Sequence, residues 1–138
     1  MAVRDDFSAG GVATTETGDV VVVVTSNENG GPVLGLPKGH PEHDETALDA
    51  ALREVREETG LDVVPINGSV YEDTEYWFNT DDGDQVHKRV RFFAMRVVGG
   101  DTADHDDEVE TVRVLSVAEA LAELTYDTER DVVRNLCG

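Results

Sequence analysis

A chain of 138 residues is the size of one ordinary domain, and its 39% hydrophobic residues suffice for a single core. Sixteen aspartates and fourteen glutamates face nine arginines and two lysines, a net charge of −19 that argues against a general nucleic-acid surface. Any anionic substrate must be drawn in by local cations or bound metal, and so lysine-poor, aspartate-rich a composition suits a high-salt cytoplasm, where a Debye length of about 3 Å at 1 M screens self-repulsion.

The opening Met-Ala-Val-Arg-Asp-Asp-Phe lacks the basic-then-apolar pattern of a secretory signal, and the aliphatic run 20–24 is too short to span a bilayer. A cytoplasmic single domain over residues 1–138, without membrane contact, is expected. Small and β-branched stretches at 7–15 and 19–25, separated by Glu16-Thr17-Gly18, predict two strands joined by a turn. A break at 26–32 precedes a short extended stretch, 33–36, and then a breaker-rich loop, Leu36-Pro37-Lys38-Gly39. Glu45 and Thr46 mark the start of a helix that Gly60 is placed to end. Residues 61–66 read as a strand; 71–80 and 86–98 flank the turn-rich Asp81-Asp82-Gly83-Asp84 as a long hairpin. After an acidic loop, 99–107, come a strand at 111–115, a helix at 117–124 with Ser116 as N-cap, and a last short helix at 127–136. Strands and helices in this order fit a mixed sheet with helices on both faces, an α/β class whose strand order the pattern leaves open. The single cysteine, Cys137, can form neither an internal disulfide nor a metal cluster.

The predicted helix that starts near Glu45 and Thr46 and ends at Gly60 carries the chemistry. At about 100° per residue, Glu54, Glu57 and Glu58 fall within an arc of about 100° and converge on one patch. Leu48, Ala51, Leu52 and Val55 form an apolar stripe on roughly the opposite side, which anchors the acidic face. Like charges so spaced repel unless a hard divalent cation such as Mg²⁺ or Mn²⁺ sits among them.

The run from Gly39 to Leu61 resembles the signature of the Nudix hydrolases: Gly39, five residues, Glu45, seven residues, Arg53-Glu54-Val55, one residue, Glu57-Glu58, one residue, Gly60-Leu61. Every specified position is matched. The resemblance implies an α/β/α sandwich with a mixed sheet and a divalent-metal-dependent pyrophosphohydrolase. It also implies that Glu54, Glu57 and Glu58 hold the metal, while Glu45 and Arg53 pair to hold the loop onto the helix. The general base varies within the family: Glu54 and Glu58 are the nearer candidates, and Glu108 sits where related enzymes place an extra ligand or base, with Glu110 a weaker alternative.

Within the family, Leu36-Pro37-Lys38-Gly39-His40 and the stretch 86–93 resemble the diadenosine tetraphosphate hydrolase branch. Tyr76 stands where that branch carries a nucleotide-binding tyrosine, and no proline follows Pro65, unlike the ADP-ribose branch. The resemblance implies a nucleotide substrate bound by Lys38, Gly39, Tyr76 and Lys88. Since His87 and Lys88 point to opposite faces of a strand, only one can face a given ligand. His40 and His43 are expected at the surface or in weak phosphate contact. Nucleoside triphosphates, inositol polyphosphates and RNA 5′ ends remain alternative substrates, and a non-catalytic nucleotide sensor is the rival from another functional class.

Overall fold

The computed structural model describes residues 2–137. Its centre is a run of five valines in β2 (Val20–Ser26), all of them buried. A strand without alternation is one covered on both faces. Val20 and Val22 join one core with Val12, Leu36, Phe92, Leu124, Val132 and Val133, whereas Val21 joins a second with Ala9, Ala51, Val55, Phe93 and Met95. A helix lies over each core: α1 (Ala47–Thr59) on the second, α2 (Val117–Glu123) and α3 (Asp127–Cys137) on the first. The expected α/β/α layering results.

The remaining strands are β1 (Val3–Thr14), β3 (Pro32–Gly35), β4 (Lys38–Gly39), β5 (Leu61–Pro65), β6 (Tyr71–Asn79), β7 (Gln85–Gly100) and β8 (Thr111–Leu115). They form one mixed sheet along the path β3-β2-β1-β7-β5, with β8 on β2, β6 on β7 and β4 on β1. Among the described residues only β1 and β7 run parallel, with Val3 opposite Gln85 through to Thr14 opposite Arg96. The long β7 uses its first part for the hairpin with β6 and its last part for β5.

Local chemistry sets the boundaries. Thr46 caps α1 by accepting from the Asp49 N–H, and Gly60 ends it with φ 75°, a left-handed conformation that glycine adopts without strain. Ser116 and Glu119 form a reciprocal capping box at α2. Two expectations change. The first strand begins at Val3 rather than residue 7, because β7 gives its early residues a partner. The loop before the helix contains β4, because Gly10 lacks the Cβ that would stand 2.2 Å from the Pro37 carbonyl oxygen, so this backbone lies directly on β1.

Candidate active site

Glu54, Glu57 and Glu58 are carried by α1 into one acidic cleft of about 500 Å³, whose walls also include Lys38, Gly39, His40, Arg53, Lys88 and Glu108. Arg53 organises the near wall. Its Nε and Nη2 donate to the two oxygens of Glu45, each at 2.8 Å, and Nη1 donates to Glu54 at 2.7 Å and Glu57 at 3.2 Å. A third link, from Nη2 to the His40 carbonyl at 3.1 Å, ties the preceding loop to the helix. The two bonds from Arg53, joined by the Glu42 N–H donating to Oε1 at 2.8 Å, hold the Glu45 carboxyl down at about 2. The opposite happens deeper in the cleft. Burial pushes Glu58 up to about 8, helped by the nearby charges of Glu54 and Asp106 and opposed by the Lys38 N–H, which donates to its Oε1 at 3.1 Å. Glu54 is raised as well, again chiefly by burial. Gly39 has a steric reason to be glycine, since a Cβ there would stand 1.9 Å from Glu54 Oε2.

Lys38 belongs to two cavities. Its backbone meets Glu58 in the cleft, while its side chain reaches a neighbouring pocket of about 400 Å³ lined by Tyr76, Val90, Phe92, Tyr126 and Glu129. Tyr76 is 43% exposed there, on the side of β6 that faces the start of α3. The ammonium of Lys38 donates to Glu129 at 3.0 Å.

Lys88 is only 7% exposed and lies on the same face of the sheet as its cross-strand partner Tyr76. Its Nζ donates to Asp6 Oδ2 at 2.9 Å and Ser8 Oγ at 2.6 Å, and His40 Nε2 bonds the other oxygen of Asp6 at 2.8 Å. Burial would raise Asp6, but Lys88 and His40 overcome it and hold the carboxyl below its ordinary range. His87 faces away from the cleft, stacked on Trp77 at 4.4 Å and bonded to Glu75. Glu108 is exposed at the cleft rim, whereas Glu110 accepts from Ser26 Oγ outside it. His43 is in solvent, its side chain 96% exposed.

Comparison with known proteins agrees with this arrangement. The NUDIX domain model matches residues 6–136. The chain belongs to the Nudix family. It is 44% identical over 97 residues to "Putative mutator protein MutT4" of Mycobacterium tuberculosis, a match covering 69% of this chain and 37% of that protein; the chain thus spans little more than a third of that relative's length. Among solved structures, a Nudix hydrolase from Nitrosomonas europaea superposes with a TM-score of 0.74 at 20% identity, covering 96% of this chain and 88% of that one. A C. elegans Ap4A hydrolase in a binary complex gives 0.69 at 16% identity over 94% and 93%. The E. coli dihydroneopterin triphosphate pyrophosphohydrolase gives 0.66 at 16% identity over 99% and 98%. At these identities the structural likeness concerns the Nudix fold.

The family implies a divalent metal, and the donor set fits one. Carboxylate oxygens suit a hard cation, and a positive ion between Glu54 and Glu58 would relieve the cost that burial places on both charges. Among the described residues no three acidic, histidine or cysteine side chains stand ready as a ligand cage; Arg53 Nη1 engages Glu54 and Glu57 instead.

Three residues beside the Nudix signature escaped the sequence reading. Asp106 approaches through its backbone, its N–H donating to the Glu57 carbonyl at 2.8 Å. Glu129 and Tyr126 come from the last turn and helix of the fold. The only hint in the sequence was Glu129 standing at a position of α3 that helical spacing groups with the apolar Val132 and Val133.

Proposed function

We propose that this chain is a divalent-metal-dependent pyrophosphohydrolase acting on a nucleotide, with a dinucleoside polyphosphate such as diadenosine tetraphosphate as the favoured substrate. The observation that carries this reading is the sharing of Lys38 between an aromatic-walled pocket and an acidic cleft. A nucleoside seated against Tyr76 has its phosphates led past Lys38 towards Glu54, Glu57 and Glu58. These three glutamates would hold Mg²⁺ or Mn²⁺, which when bound neutralises phosphoryl charge and lowers the pKa of a coordinated water.

The protein's own groups have distinct tasks. Arg53 orients Glu54 and Glu57, with Glu45 fixing the guanidinium in turn. Glu58, Glu54 or Glu108 accepts the proton of the attacking water as its oxygen bonds to phosphorus and the bridging P–O bond breaks. Gly39 leaves space for Glu54, and Lys88 offers charge at the far wall once a phosphate competes with Asp6. Diadenosine tetraphosphate would give ATP and AMP, because a nucleoside held at one end presents an end phosphate to the glutamates.

The second reading is a nucleoside triphosphate as substrate, and the likeness to a protein named a putative mutator keeps this other branch of the family in view. A panel of dinucleoside polyphosphates, nucleoside triphosphates and ADP-ribose, assayed with Mg²⁺ at molar salt with chromatographic identification of products, separates the two. ATP plus AMP from diadenosine tetraphosphate is expected. Two molecules of ADP would contradict the end-on geometry, and faster turnover of a simple triphosphate would favour the second reading.

A further inference from the structure

Glu129 is a 4% exposed carboxylate on α3 with no part in the chemistry above. Its Oε1 accepts from the Leu36 N–H at 2.8 Å and its Oε2 from Lys38 Nζ at 3.0 Å. The fit is close, since a Cβ on Gly35 would stand 3.3 Å from Oε1. Residues 35–38 are therefore suspended between glutamates of two helices, Glu129 on one side and Glu58, acceptor of the Lys38 N–H, on the other. A buried charge is costly unless its partners need it. An uncharged amide could accept from the Leu36 N–H equally well; only the ammonium of Lys38 calls for a carboxylate. That ammonium has three N–H donors, and one bond to Glu129 leaves donors for a ligand where the pocket meets the cleft.

We infer that Glu129 is a positioning residue that holds the Lys38 ammonium at the junction of pocket and cleft, where it meets the phosphate attached to a bound nucleoside. The nature of that ligand rests on the pyrophosphohydrolase reading; the positioning itself rests on the ion pair. Through Lys38, α3 and the pocket it walls are joined to Glu58 by a chain of two hydrogen bonds.

The test is a double-mutant cycle of Glu129→Gln and Lys38→Met, with melting temperatures measured alongside. Glu129→Gln should raise KM for the best nucleotide of the panel about tenfold while leaving kcat within about threefold, and should add nothing further once Lys38 is methionine. An equal effect of Glu129→Gln with and without Lys38, or an unchanged KM, would overturn the inference. A second readout needs no turnover. The chain has only two lysines, so ¹⁵N-lysine labelling gives two Nζ resonances, assigned with Lys38→Arg and Lys88→Arg. In Glu129→Gln the Lys38 resonance alone should lose its protection from exchange; if it is unaffected, positioning is refuted. Should Glu129→Gln fail to fold, AMP titrated into the wild-type protein still decides, since a Lys38 resonance that ignores AMP up to saturation of the pocket contradicts the inference. If the wild type hydrolyses no nucleotide while the Lys38 resonance answers to Glu129, the function reading fails and the positioning role stands.

Discussion

Glu57 is exposed at the rim, whereas Glu58 is partly buried and accepts from the Lys38 backbone. Replacing either by glutamine keeps its shape and removes the charge a cation needs. Both variants should lose at least about 100-fold in turnover with the fold intact by circular dichroism. Near wild-type rates at saturating Mg²⁺ would remove that position from the metal set. Glu45 offers a test by pH. Its folded-state value, about 2, lies below the 4.5 of an ordinary glutamate. The pair with Arg53 therefore contributes stability that is whole above about 4.5 and is lost as pH falls towards 2. A carbon-detected carboxyl titration should find Glu45 among the most acidic glutamates, and Arg53→Ala should move it up towards the ordinary range, with the Glu42 N–H still donating to Oε1 at 2.8 Å.

At the scale of elements, β6, β7 and the start of α3 together line the pocket, and Tyr76 is the ring proposed above to hold a base. Tyr76→Ala should weaken nucleotide binding by roughly 1–3 kcal/mol, read as KM or by calorimetry. A smaller change would move the base elsewhere, with Tyr126 the next candidate. The bounds of α1 were legible in the sequence because its determinants are local: a threonine cap, a helical apolar stripe and Gly60. The two-residue β4 was not, since it exists through the missing Cβ of Gly10, distant in sequence. Likewise the three signature glutamates could be located on one helix, while Asp106 could not be placed against Glu57, nor Glu129 against Lys38. Their proximity is a product of the sheet path, which a local pattern does not specify.

For the molecule as a whole, thirty carboxylates on a domain with eleven fixed cations create a self-repulsion that salt screens. The melting temperature should rise from low salt to molar KCl, and Mg²⁺ should raise it further by binding the folded state. A flat or falling curve would defeat the high-salt reading and leave the hydrolase proposal unaffected. No helix among the described residues is long and apolar enough to cross a membrane.

The parallel ladder of β1 and β7 has a consequence for how the protein is made. Asp6 and Lys88 meet across that ladder, from strands separated by most of the chain. Closing so long a loop costs entropy before any contact repays it, and parallel pairing at such separation is slow. A nascent chain can form α1, with its glutamates, long before β7 has left the ribosome, yet the cleft has no far wall until residue 88 arrives. In refolding, helical signal should return in an early phase and hydrolytic activity only in the last one.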